Sequence, residues 1–180
     1  RALVVEGRKA GYVDRLARMA IPLEYEATVG VINWGDFRNG LAKVQQGGKR
    51  CLIDTTGRKV LPCSYADIGQ ATGPLVPVRK RGKWGFADKK GNLLFDDRYD
   101  MAWDMVEGLA RVRNGEFFGV VDSTGKEVIP LRYKGMSDAR HGFLVATGAE
   151  GTGLVRHHAS AAPCAKAGGK VCGRRIEILR

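Results

Sequence analysis

Residues Leu109 to Tyr133 read LARVRNGEFFGVVDSTGKEVIPLRY, and the same text recurs as LAKVQQGGKRCLIDTTGRKVLPCSY from Leu41 and LVPVRKRGKWGFADKKGNLLFDDRY from Leu75. Asp54, Asp88 and Asp122 fall 34 residues apart, as do Gly57, Gly91 and Gly125, and Tyr65, Tyr99 and Tyr133. A shift of 40 residues brings Val4 onto Val44, Asp14 onto Asp54, Pro22 onto Pro62 and Tyr25 onto Tyr65, so a first copy carries an insertion of six. That insertion lies around Val29 to Phe37. Downstream, Phe143 continues the Leu41, Leu75, Leu109 column and Gly153 continues Gly85 and Gly119, but Arg156 replaces the aspartate. Such self-similarity at a fixed period has to be read before any local propensity, because it decides the architecture.

Each copy reads as strands. The apolar run Leu41 to Val44 passes through Gly47 and Gly48 to Arg50 to Asp54, then through Thr55, Thr56 and Gly57 to Arg58 to Pro62. Turns of a few residues bearing Gly and Asp between short β-prone runs are hairpin signals, since Gly supplies positive φ and Asp bonds its own turn. The copy is therefore a three-stranded meander. The linkers Tyr65–Gly73, Tyr99–Gly108 and Tyr133–Gly142 read as loop or a single helical turn. No other window sustains a helical period with caps.

Of 180 residues, 44% are apolar and 27% charged, enough to bury a core. The longest stretch without a charged side chain, Ile68 to Val78, is far short of the roughly 18 residues of a membrane-spanning helix. The chain starts at Arg1 with neither Met nor an apolar signal core, which reads as a processed or excised piece. Arg1 also aligns with Leu41, which leaves room for upstream repeats. The net charge of +11 bears on partners rather than on fold.

Lys83-Trp84-Gly85-Phe86 followed by Asp88, and Phe117-Phe118-Gly119-Val120 followed by Asp122, carry a further pattern. With Gly108 to Val112 before the second of these and Gly125 to Pro130 after it, the phased set resembles the bacterial WG (KWG) repeat family over roughly residues 1–156. The Trp-Gly pair itself becomes Ala10-Gly11, Arg50-Cys51, Phe118-Gly119 and Thr152-Gly153 elsewhere, and Trp34-Gly35 is out of phase. The expected fold is all-β: tandem three-stranded β-meanders of about 34 residues in an open solenoid-like or propeller-like array. Its units run approximately 1–40, 41–74, 75–108, 109–142 and a partial 143–156, with 157–180 an irregular C-terminal capping segment. Closure would need a last strand, near Arg174 to Leu179, to pair with a first-unit strand. Glycine inside a strand is costly, so the Gly11, Gly85, Gly119, Gly153 column implies close approach of a backbone or a ring. The tyrosine column Tyr25, Tyr65, Tyr99, Tyr133 is the natural candidate.

Chemistry-bearing groups are few. The repeated aspartates sit in D-x-x-G turns or a degenerate form, where bonding to the turn backbone accounts for them, and one carboxylate per turn is no calcium site. Cys164 and Cys172, near His157 and His158, match no zinc spacing and read instead as a possible disulfide. Cys51, in the glycine column, reads as buried and inert. An even cysteine count leans toward a periplasmic or secreted location over a cytoplasmic one. No nucleophile elbow or phosphate-cradling loop is present, so neither catalytic residue nor metal nor cofactor is assigned.

What remains points to binding. Arg79, Lys80, Arg81 and Lys83 precede Trp84 and form the densest cationic run. Trp34 and Phe37 in the insertion, and Met101 and Trp103 in the equivalent linker, are the anchor types that interfaces favour. The resemblance implies an interaction module of bacterial type, and the residues themselves point to non-enzymatic binding of an acidic protein partner through linkers and cationic turns; neutralising a secreted effector is one such role. The alternative is a polyanion, whether nucleic acid, envelope polymer or anionic lipid surface, held by the Arg79–Lys83 cluster.

Overall fold

A computed structural model describes residues 1–27, 35–149, 151–157 and 176–179, and of 95–97, 157 and 176–179 the main chain. Repeat 1 forms β1 (Ala2–Glu6), β2 (Lys9–Val13) and β3 (Met19–Glu26), and repeat 2 forms β4 (Leu41–Gln46), β5 (Lys49–Asp54) and β6 (Lys59–Tyr65). A short β7 (Asp67–Ile68) leads to repeat 3, with β8 (Leu75–Lys80), β9 (Lys83–Asp88) and β10 (Leu93–Tyr99). After β11 (Met101–Ala102), repeat 4 contributes β12 (Leu109–Asn114), β13 (Phe117–Asp122) and β14 (Glu127–Tyr133). The last group is β15 (Gly135–Met136), β16 (Phe143–Gly148), β17 (Gly151–His157) and β18 (Ile176–Leu179). The described residues hold no helix, all pairing is antiparallel, and no sheet closes into a barrel. The chain divides into two compact units, Arg1–Arg98 and Tyr99–Arg180.

The two turns of each meander follow from their residues. In the first hairpin, Gln46 pairs with Lys49 across Gly47 and Gly48, and Lys80 with Lys83 across Arg81 and Gly82. Both central residues have positive φ in each, the type I′ requirement. In the second turn the aspartate closes the loop from inside. Asp54 Oδ1 accepts from the N–H of Thr56 at 2.9 Å and of Arg58 at 3.1 Å, while Gly57, at φ 89°, lies in the left-handed region. Asp14, Asp88 and Asp122 repeat the pattern, with Ala17 at φ 57° standing where the other copies have glycine. Side-chain bonds from Arg18, Thr56 and Asn92 lead in holding the carboxyls of Asp14, Asp54 and Asp88 below the usual range.

The third strand carries a bulge at one place in every copy where its register is set. Ala10 pairs with Tyr25 and Tyr12 with Ile21; Arg50 pairs with Tyr65 and Leu52 with Leu61; Phe118 pairs with Tyr133 and Val120 with Ile129. Four residues of the third strand thus oppose two of the second, with Pro22, Pro62 and Pro130 inside the bulge, where a missing N–H costs no ladder bond. The bulge explains the glycine column. A Cβ on Gly11 would lie 2.6 Å from the Ile21 carbonyl oxygen and 2.7 Å from that of Pro22, and one on Gly119 would lie 2.8 Å from that of Ile129. Close approach is real, but its source is the third strand's backbone; the tyrosine rings sit opposite the preceding residue.

Repeat 2 resolves the same crowding covalently. Cys51 is bonded to Cys63, with Cα atoms 4.3 Å apart, so it is buried but not the inert thiol expected from sequence. The pair expected at Cys164 and Cys172 lies outside the described residues, as do His158 and most of the insertion with Trp34.

The linkers are loop, as one of the two expectations had it, except for two residues in each that form a short strand. Asp67 and Ile68 pair with Arg79 and Val78, Met101 and Ala102 with Arg113 and Val112, and Gly135 and Met136 with Thr147 and Ala146. Each linker therefore supplies a fourth, edge strand to the sheet of the following repeat. Ile176–Leu179 pairs with β17, taking the third-strand position of its own repeat instead of closing on the first unit.

The core lies between copies. Tyr12, Ile21 and Tyr25 of repeat 1 pack with Ala42, Val44, Cys51 and Ile53 of repeat 2, while Leu52, Leu61 and Tyr65 pack with Ile68, Val76 and Val78. Alternation along β5 sends Cys51 and Ile53 to one neighbour and Leu52 to the other, so three successive residues are buried where a one-faced sheet would bury two. Val120, Ile129 and Leu109 likewise pack with Met136, Leu144 and Val155 in the second unit. Burial pushes the Tyr25 phenol up to about 12.

Candidate functional site

In the first unit, the type I′ turn puts Arg81 and Gly82 at a hairpin tip, with Arg79, Arg81 and Lys83 exposed and Lys80 half-buried. Arg79 lies opposite Trp84 on one side and Asp67 on the other. Trp84 is half-buried, so one aromatic ring stands within the cationic row. The charge surplus gathers in this half of the sequence, where residues 1–98 hold eighteen Lys and Arg against ten Asp and Glu. Phe37 is half-buried and meets the Tyr12 ring edge-on at 4.8 Å, while the Tyr12 hydroxyl donates to the Gly35 carbonyl at 2.6 Å. Phe37 thus closes the core between repeats 1 and 2.

In the second unit, the linker residues Met101 and Trp103 lie along the edge formed by β11, both half-buried, whereas Ala102 and Met105 turn inward. The Trp103 N–H donates to the Arg111 carbonyl at 3.0 Å, which fixes the linker backbone beside β12. The Arg111 guanidinium sits 4.2 Å from the Trp103 ring centroid, and the Trp103 and Phe118 rings are 5.9 Å apart. Arg113 adds a second guanidinium 5.8 Å from Phe118. Pairing runs Met101, Arg113, Phe118, Tyr133 across the four strands, so one sheet face carries a row of arginine and ring. Arg132 over Tyr133 at 5.3 Å extends the same chemistry.

This stack is held in place. Arg111 donates to the Met136 carbonyl and stands 3.5 Å from the Asp138 carboxylate, tying repeat 4 to the next linker. Lys43 does the same two copies earlier, donating to the Ile68 carbonyl at 2.7 Å. Glu107 accepts from the N–H groups of His141 and Gly142 at 2.7 and 2.9 Å. Guanidinium over a ring gains about 0.5 to 2 kcal/mol depending on desolvation, and a fixed stack loses little entropy on meeting a partner.

Sequence reading reached Met101 and Trp103 but missed Arg111, Arg113 and Phe118, which complete the cluster. Their signal was available: Arg111 and Arg113 alternate on the first strand, and Phe118 holds the tryptophan column on the second. Among the described residues no group of three or more His, Cys, Asp or Glu could hold a metal ion, and no helix is long and apolar enough to cross a membrane.

Meanders whose cores form between successive copies, the last three sheets each taking an edge strand from the preceding linker, define a tandem β-repeat protein. Four consecutive segments, residues 11–49, 52–84, 84–116 and 118–146, match the WG containing repeat, and the chain belongs to that family. Each match opens on the second strand, so the family's repeat is offset from the meander. No curated protein and no solved structure matches the chain.

Proposed function

We propose that the chain is a non-enzymatic module that binds an acidic partner protein, with the Trp103, Arg111, Phe118 and Arg113 stack as its anchor. The stack supports this reading because it joins the side chains that dominate interface energetics in a pre-ordered, half-buried row that crosses the sheet from β11 to β13. The repeated aspartates and tyrosines, in contrast, are consumed by turns and core. The exposed Arg79, Arg81 and Lys83 serve to steer an acidic surface toward the protein.

The test is affinity purification of the full chain from its native cells, as wild type, as Trp103→Ala and as Arg79→Gln/Arg81→Gln/Lys83→Gln. A partner retained by wild type and held with an affinity weaker by about 2 kcal/mol in Trp103→Ala supports the anchor. Equal affinity in Trp103→Ala sinks it. The concentration of positive charge in residues 1–98 favours a second reading, a polyanion held at the Arg81 turn. That reading predicts a steep fall of affinity with salt, removed by the triple substitution and untouched by Trp103→Ala.

A further inference from the structure

We infer that the Asp14–Arg18 turn of repeat 1 docks on an anionic phospholipid bilayer, a role that goes beyond the partner-binding reading and uses none of its residues. Leu16 is 70% exposed, more than any other large apolar side chain among the described residues. Its column holds Thr56, Lys90 and Thr124 in the other copies, and both threonines donate their hydroxyl to the turn aspartate at 2.6 Å. Leu16 gives up that bond and contributes no burial in exchange. Met19, at the start of β3, is another exposed apolar side chain, at 51%.

Around Leu16 the charge is positive. Arg1, Arg15 and Arg18 line one shallow surface depression together with Asp14, Leu16 and Thr55. The carboxylate of Asp14 is fully engaged: Oδ1 accepts from the Leu16 and Arg18 N–H groups, and Oδ2 from the Arg18 guanidinium at 2.8 to 2.9 Å. Arg1 donates its Nε–H to the Thr55 carbonyl at 3.0 Å, which holds the guanidinium at the depression. Arg15 makes no bond among the described residues. Three guanidiniums against one occupied carboxylate suit a phosphodiester, which accepts charge-assisted bonds at its two free oxygens.

Free phosphate would use these arginines and ignore Leu16. A bilayer uses both, the headgroup phosphate in the depression and the leucine at the headgroup and acyl boundary. The experiment is co-sedimentation of the full chain with vesicles of phosphatidylcholine alone and with added phosphatidylglycerol. Wild type, Arg15→Gln and Leu16→Thr are compared, the last restoring the residue found at Thr56 and Thr124. Binding only to the anionic vesicles, weakened about fivefold in Arg15→Gln and about tenfold in Leu16→Thr, is expected. Unfolding midpoints no lower than wild type confirm that both variants fold. Absence of wild-type binding, equal binding to both vesicles, or a loss in Arg15→Gln with none in Leu16→Thr overturns the inference. So does displacement by inorganic phosphate at matched ionic strength with Leu16→Thr unchanged.

Discussion

Replacing Gly119 by alanine isolates the crowding at the bulge. The residue lies outside the positive-φ region, so backbone conformation opposes nothing and only space decides. The new Cβ would stand 2.8 Å from the Ile129 carbonyl oxygen, 3.1 Å from the Leu131 nitrogen and 3.2 Å from Leu131 Cγ. Overpacking by one methyl ordinarily costs about 1 to 3 kcal/mol. Here two of the three obstacles are main-chain atoms of a strand paired on both sides of the bulge, which cannot rotate away, so the upper end, about 3 kcal/mol, applies. For a chain of this size that lowers the thermal midpoint by about 6 to 12 °C. Gly115→Ala is the control: nothing lies within 4 Å, and its φ of 55° costs a side chain only about 1 kcal/mol. Calorimetry or circular dichroism of both variants decides. Should Gly119→Ala prove no more destabilising than Gly115→Ala, the close-approach account is wrong. A second arm transplants the repeat 2 solution: Gly119→Cys/Leu131→Cys places cysteines where Cys51 and Cys63 stand two copies earlier, and the oxidised double variant is expected to regain stability that Gly119→Cys alone loses.

Three further outcomes are expected. Reduction of the Cys51–Cys63 bond, or its replacement by Cys51→Ala/Cys63→Ala, releases a loop of 12 residues and lowers unfolding free energy by about 3 kcal/mol, measurable by urea titration with and without reductant. Tyr12→Phe removes the buried bond to the Gly35 carbonyl and costs about 1 kcal/mol in the same titration. In acid, the Asp54 carboxyl holds its proton less tightly in the folded chain than in the unfolded one. Its stabilising contribution is therefore present above the ordinary carboxylate value near 4 and lost as pH falls from about 4 toward 2. Asp54→Asn is expected to be less stable at neutral pH and to lose less stability across that window, as followed by unfolding at stepped pH.

The meanders, their turns and the aspartates were legible because each is a local matter: a Gly or Asp at fixed spacing dictates a turn whatever surrounds it. The fourth strand was not. Asp67–Ile68 and Met101–Ala102 are two residues long, too short to show a period, and they become strands only because the bare edge of the next meander offers them partners. The glycine column announced a close approach without naming what came close, since the bulge that supplies the carbonyls depends on pairing between strands. Cys51 misled for the same reason. Its partner 12 residues on is visible only once register puts the second and third strands side by side. At the binding site, Trp103 was found by residue type, whereas Arg111 and Phe118 were absorbed into the repeat pattern, and only the sheet face shows them meeting.

Because the linkers after repeats 2, 3 and 4 pair forward, the natural joints there are not where the sequence copies begin. The amide of Ala66 already bonds to Arg79, that of Asp100 to Arg113 and that of Lys134 to Thr147. A fragment starting at Leu75 would abandon its own selvedge, and one ending at Pro74 would trail an orphaned thread. Severed just after Tyr65, Tyr99 or Tyr133, each piece keeps its weave whole, and those tyrosines mark where the cloth can be cut.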